Sequence, residues 1–153
     1  MRLTIEGPYF GKATVCVPIL RVLPAWFGID EYIVHYSAEI DHLPTFLACD
    51  AEHVIGFLSL KQHTPYSAEV YVMGTRPESH RKGIGRALIN QAQEWLKGRG
   101  IEYLQVKTLG PSHSDVNYAK TRAFYTAMGF KPLEEFKQIW DEHNPCLIMV
   151  KRL

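Results

Sequence analysis

Apolar and polar positions change period several times along the 153 residues, and each change marks an element. Leu3 and Ile5 alternate with polar neighbours, an edge-strand pattern over residues 2–6. Over residues 14–27, Cys16, Ile19, Leu20 and Leu23 share a helical face; Pro18 suits the first turn and Pro24 stops the helix. Asp30 is placed to N-cap a second helix that aligns Ile33, Tyr36 and Ile40. Residues 45–49 and 54–61 read as strands around a turn at Asp50-Ala51-Glu52-His53, and residues 68–75 as the next strand. Ile84, Leu88, Ile89, Ala92, Trp95 and Leu96 line one side of a helix ended by Gly98 or Gly100. A strand over 101–107 follows. Ser114 and Asp115 then cap a helix running to Met128, with Gly129 as its stop. Two final strands fall at 131–136 and 146–151. No repeat, low-complexity tract or linker interrupts residues 1–153, so the pattern predicts a single α/β domain around a largely antiparallel sheet.

Composition narrows the function classes. Apolar residues make up 46% of the chain, enough for one core. Seventeen basic against sixteen acidic side chains argue against a nucleic-acid binder, whose affinity rests on phosphate contacts. Cys16, Cys49 and Cys146 are far apart and form no Cys-x-x-Cys pair, and the seven histidines are scattered; neither a disulfide framework nor a metal site is indicated. No apolar run reaches membrane-spanning length, and the first five residues do not read as a signal peptide, so the expectation is a cytoplasmic protein without a membrane partner.

One segment departs from the neutral background. Between the strand at 68–75 and the helix from Ile84, Arg76, His80, Arg81, Lys82 and Arg86 crowd together, opposed by Glu78 alone. Glycines let the backbone approach a ligand, and the first amides of a helix are unpaired and lie at its positive end, so this turn suits a phosphate. A solvated basic face is the plainer alternative. Dinucleotide and Walker readings fail on spacing: Leu88 stands where a third glycine belongs, and Lys82 precedes Gly83 instead of following it.

The run from Ala68 through Glu78, then His80-Arg81-Lys82-Gly83-Ile84-Gly85-Arg86-Ala87-Leu88, resembles the acetyl-coenzyme A motif of the GNAT N-acetyltransferases. The later Phe124-Tyr125-Thr126-Ala127-Met128-Gly129-Phe130 resembles that superfamily's second hallmark, and the order of strands and helices fits across nearly the whole chain. The resemblance implies a mixed, mostly antiparallel sheet of about seven strands, splayed between the fourth and fifth and flanked by about four helices. It also implies acetyl transfer from acetyl-coenzyme A to an amine. Met73, Gly74, Thr75, His80, Arg81, Lys82, Gly83, Ile84, Gly85 and Arg86 are the implied cofactor-binding residues. Two positions depart from the family pattern. His80 stands where Gln or Arg usually opens the loop. Tyr118 stands seven residues before Tyr125, where Asn is frequent, with Asn117 one residue earlier.

The chemistry assigns further roles. An amine with a pKa of about 7.7–10.4 must lose a proton before it attacks, and a carboxylate at the cleft can take it, often through water. Glu69 occupies the place of the catalytic glutamate in histone-acetylating relatives; a surface carboxylate on a strand is the alternative, and Glu39 is the reserve base. Period-two alternation puts Glu69, Tyr71 and Met73 on one face and Val70 and Val72 on the other. Amides near Met73-Gly74-Thr75 would hold the acetyl carbonyl, with Gly74 tolerating a bulge there. Tyr125 would protonate the departing thiolate, the alternative being a core aromatic on a stripe with Tyr118 and Met128.

Family anatomy points to Trp26, Phe27, Tyr32, Tyr36, Glu39 and Gln138-Ile139-Trp140-Asp141 around the acceptor, a set suited to a cationic, partly apolar amine on a small molecule or peptide. Asp41, His42, His63 and His113 receive no role. No covalent acetyl carrier is needed. Relatives commonly dimerise, so a homodimer is compatible with the chain. Competing readings are a non-catalytic acyl-coenzyme A sensor or partner-binding module on the same fold, and a transferase for a longer acyl group that would use space beside Tyr71 and Met73.

Overall fold

The computed structural model describes residues 1–23 and 30–153, Asp30 through its backbone alone. Its elements run β1 Leu3–Tyr9, α1 Ala13–Arg21, α2 Asp30–Ile40, β2 Thr45–Asp50, β3 His53–Gln62 and β4 Ser67–Thr75. After a 3-10 turn at Pro77–Ser79 come α3 Ile84–Gly98, β5 Tyr103–Leu109, α4 Val116–Ala127, β6 Lys131–Asp141 and β7 Asn144–Arg152. One seven-stranded sheet has the order β1-β2-β3-β4-β5-β7-β6. Every neighbouring pair is antiparallel except β4 with β5. The predicted class and element order stand.

Helices cover both faces. Ile84, Leu88, Ile89, Ala92 and Leu96 of α3 pack with Phe46, Leu58, Val70, Val106 and Phe130 on one side. On the other, Cys16, Ile19 and Leu20 of α1 and Ile40 of α2 meet Leu47, Phe57 and Val72. Each such side chain contributes about 1.5–3 kcal/mol when fully buried, which makes the sheet a rigid floor. Among the described residues no helix is long and apolar enough to cross a membrane.

Local chemistry sets the boundaries. Asp41 accepts the Ala13 N–H at 3.0 Å and so starts α1 early, leaving Pro18 inside the helix and not in its first turn. Asp115 accepts the amides of Asn117 and Tyr118 at 2.8 and 3.3 Å, the expected cap of α4. Gly129, at φ +95°, follows that helix as predicted. The final strands run past their predicted ends, joined at the turn where Asp141 accepts amides of His143 and Asn144.

Two irregularities around β4 shape the centre of the sheet. Ser59 pairs with Val72 while the next residue, Leu60, pairs with Val70, so Tyr71 is an extra residue in β4. That bulge breaks the predicted alternation. Val70 faces α3 and Val72 faces α1, while Met73 packs on the α3 side and Tyr71 on the α1 side. The bulge expected at Gly74 is therefore displaced. Gly74 pairs regularly with Phe57, and α1 lies so close that a Cβ there would sit 3.3 Å from Leu23 Cδ1 and 3.5 Å from Ile19 Cγ2.

The second irregularity is the parting of β4 and β5. Their ladder runs from Ser67–Tyr103 to Val70–Val106 and stops, although β4 continues to Thr75 and β5 to Leu109. β5 stays paired with β7 throughout, out to Leu109–Cys146. The sheet therefore opens between these two strands, as the resemblance implied.

Candidate active site

The upper end of the opening is made of backbone. Thr75 leads through the 3-10 turn to Arg81 at φ +64° and Gly83 at φ +77°, two left-handed residues that curl the chain into a concave turn. Gly83 offers no side-chain cap to α3, and the first amide of that helix to find a backbone acceptor is Ala87 N–H, on Gly83 O at 3.0 Å. The amides of Ile84, Gly85 and Arg86 thus stand open at the positive end of α3. Arg81, Lys82 and Arg86 are exposed around them. His80 lies beside the Thr75 carbonyl, with Nε2 2.8 Å from the oxygen, a contact that braces the loop from within. Ile84 puts its side chain in the core and can offer a ligand only its amide. A Cβ on Gly85 would meet the Phe124 ring at 3.0 Å, so glycine there lets α4 close onto α3 beside Met73.

On α4, Tyr125 is buried, with its ring edge-on to Phe124 and Phe130 at 5.4 and 5.5 Å. Among the described residues its hydroxyl has no hydrogen-bond partner. Burial, and secondarily Tyr118, pushes its phenol pKa up, so it stays protonated at neutral pH. On β5, past the last pair with β4, Thr108 is buried and its Oγ1 finds no partner among the described residues. A buried hydroxyl left unpaired costs about 1–3 kcal/mol. The open strand edges, the unpaired Thr108 hydroxyl and the uncapped helix end together fit a long polar arm ending in phosphates.

The lower end is made of side chains. Glu69 is 4% exposed; its Oε1 lies 2.7 Å from His63 Nε2 and 3.5 Å from Lys107 Nζ. Above it, Tyr36 of α2 meets Tyr71 edge-on at 5.6 Å, and His35 Nε2 lies 3.2 Å from the Tyr71 hydroxyl. Lys61 reaches Glu39 at 3.8 Å and sits 5.3 Å from the Tyr71 ring centre. The phenols feel one another. Burial pushes Tyr71 up to about 12, helped by Glu39, Tyr36 and Glu69. Tyr118 is pushed up to about 12, first by burial and then by Tyr36 and Asp115. Tyr36 is raised by burial, then by Glu69 and Tyr32. α2, β4 and α4 therefore converge here.

Several expected residues meet and others do not. Tyr36, Glu39, Glu69 and Tyr71 come together, with the exposed Tyr32 at the rim. Trp26 and Phe27 lie outside the described residues. Gln138-Ile139-Trp140-Asp141 is exposed, and makes no hydrogen bond, ion pair or ring contact with this cluster among the described residues. Asn117 is half-buried in the first turn of α4, its amide held by Asp115. Asp41 and His113 serve helix starts. His63, Lys61 and Lys107 were missed. Lys61 lies directly across the β3–β4 hairpin from Glu69, a pairing readable from the hairpin; the Lys107 contact needs the parallel β4–β5 register. Two surface hollows of about 460 and 730 Å³ lie by the β2–β3 turn and between α1 and the basic loop, and neither includes Glu69 or Tyr125.

With this geometry in place, residues 19–130 match the acetyltransferase (GNAT) family. The chain is 30% identical over 111 residues to a protein of Chlorobaculum tepidum named as an uncharacterised N-acetyltransferase, a match covering 70% of this chain and 64% of that one. It is 32% identical over 74 residues to mycothiol acetyltransferase of Beutenbergia cavernae, covering 48% of this chain and only 23% of that protein. A protein of Desulfovibrio desulfuricans assigned to the GNAT family superposes with a TM-score of 0.84 at 17% identity, over 98% of both chains. PaiA N-acetyltransferase of Thermoplasma acidophilum, in complex with coenzyme A, superposes at 0.77 with 20% identity over the full length of both.

Proposed function

The chain belongs to the acetyltransferase (GNAT) family, whose co-substrate is acetyl-coenzyme A, and from that premise we propose that it acetylates a primary amine by direct transfer in a ternary complex. Acetyl-coenzyme A supplies an activated acetyl thioester and an anionic pyrophosphate handle. The open amides of Ile84, Gly85 and Arg86, with Arg81 and Lys82, take the pyrophosphate. The free edge of β4 at Met73-Gly74-Thr75 pairs with the amides of the pantetheine arm and holds the acetyl oxygen as charge builds on it. One such donor typically contributes about 2.7–4 kcal/mol to the barrier. Glu69, hydrogen-bonded to His63, takes the proton that the acceptor ammonium must lose. Tyr125 gives its proton to the departing sulfur; the same dry surroundings that raise its pKa raise that of the thiol, which keeps the transfer feasible.

The observation that carries this reading is the end of the β4–β5 ladder at Val70–Val106. It leaves a strand edge open between an uncapped helix N-terminus and a buried carboxylate. Calorimetric titration with acetyl-coenzyme A, beside coenzyme A, ATP and NAD, tests it. Selective binding of the coenzyme A compounds, weakened by Arg81→Ala, supports the reading, and no binding sinks it.

A further inference from the structure

We infer that the acceptor is a small zwitterion, an α-amino acid or a close analogue, and that Lys61 and Lys107 bind its carboxylate. The inference rests on the transferase reading above and adds the class of acceptor.

Lys61, Glu69 and Lys107 form a row across three adjacent strands. Lys61 stands opposite Glu69 in the β3–β4 register, and Lys107 lies two residues beyond Gln105, the partner of Glu69 on β5. Each carboxylate of the cluster already has a lysine. Glu69 is 3.5 Å from Lys107 and Glu39 is 3.8 Å from Lys61. The lysine side chains are 31% and 40% exposed, against 5% for Glu69. Glu39, at 35%, is as open as the lysines, so an entering molecule meets two ammonium groups and one carboxylate before the buried Glu69.

That balance of charge disfavours a polycation. Two lysines balance two glutamates, and neither His35 nor His63 adds charge when neutral. A polyamine would bring further ammonium groups beside Lys61 and Lys107, and like charges placed together are costly. The Tyr71 ring, which an acceptor cation would otherwise use, already lies near Lys61 Nζ. A zwitterion adds no net charge. Its carboxylate pairs with either lysine in a charge-assisted contact, and its amine points inward to Glu69 and His63. The edge-on Tyr36–Tyr71 pair offers an apolar wall to a side chain.

The test is an acceptor panel with acetyl-coenzyme A: the free amino acids, each beside its primary amide and its decarboxylated amine, and spermidine. Coenzyme A release and product mass are both recorded. For the best amino acid, kcat/KM should exceed that of its amide and amine by about tenfold or more, mainly through KM. Lys61→Met and Lys107→Met should narrow the acid-to-amide ratio, and Lys61→Glu should invert it. Both lysines are part-exposed, and thermal unfolding of each variant checks that the fold is kept. Amides or spermidine matching the acids would overturn the inference, as would a ratio indifferent to both lysines. So would failure to acetylate any amino acid by protein that binds acetyl-coenzyme A. Protein that binds no coenzyme A compound fails at the earlier step and removes the transferase reading as well.

Discussion

At one end of the β4–β5 opening the groups that face a ligand belong to the main chain, and at the other they are the tips of long side chains. The loop end presents amides of α3 and a turn curled by Arg81 and Gly83. The floor presents Glu69, His63, Lys61, Lys107 and a ring of tyrosines drawn from α2, β3, β4, β5 and α4. A backbone site recognises a feature common to every molecule carrying it, such as a pyrophosphate. A side-chain site can be changed one residue at a time and so selects among acceptors. On the proposed reading, the first end makes the cofactor general and the second makes the acceptor particular.

Substitutions can separate the two. Glu69→Gln keeps the shape and the His63 contact but removes the proposed base, and kcat should fall about a hundred- to a thousandfold with acetyl-coenzyme A affinity unchanged. A kcat within a few-fold of the parent would reduce Glu69 to an ion-pair partner and break the comparison at the floor. Gly83→Asp acts at the other end. A Cβ there meets no atom within 4 Å, so the fold should survive a strain of about 1–2 kcal/mol. A carboxylate facing the phosphates should weaken coenzyme A binding about a hundredfold, read by calorimetry.

Gly74→Val sharpens the contrast, because this glycine serves packing. With Leu23 Cδ1 at 3.3 Å and the buried Ile19 and Phe57 at 3.5 Å, urea unfolding should show a loss of about 1–3 kcal/mol, where Gly83→Asp shows little. The smallest effect is expected at alkaline pH. Burial raises the Tyr125 phenol above its unfolded value of 10.0. Above pH 10 the unfolded chain therefore releases a proton that the folded chain keeps, and stability falls as pH rises. Tyr125→Phe should lose less stability there, by up to about 1.4 kcal/mol per pH unit. Identical alkaline unfolding of the two proteins would deny the phenol its buried setting.

The same contrast explains what could be read in the chain. Helices, strands and their order followed from periodicity and caps, because these depend on neighbours in sequence; Asp115 and Gly129 act where they were expected. The loop end was equally legible, since Gly83 and the basic run are contiguous. The floor was only partly so. Glu69 was singled out by its place in the family pattern, on the strand leading to the basic loop, but His63 had no role until the hairpin folded it back, and Lys107 arrives from another strand through a register that local pattern does not state. The bulge was illegible for a different reason. Tyr71 continues the strand pattern in composition, and only the pairing with β3 shows that it is one residue too many.

That extra residue also sets how this protein tolerates change. Residues before Tyr71 and residues after it obey opposite inside–outside rules. A point substitution in β4 alters one contact, and removing a residue would ordinarily exchange the facings of all that follow it. Position 71 is the exception: without Tyr71, Val70 opposite Leu60 and Val72 opposite Ser59 become neighbours in one continuous ladder, and Val72, Met73 and Gly74 keep their facings. What the deletion gives up is the ring that meets Tyr36 edge-on at 5.6 Å. Variant libraries that delete position 71 should therefore yield folded proteins with an altered floor.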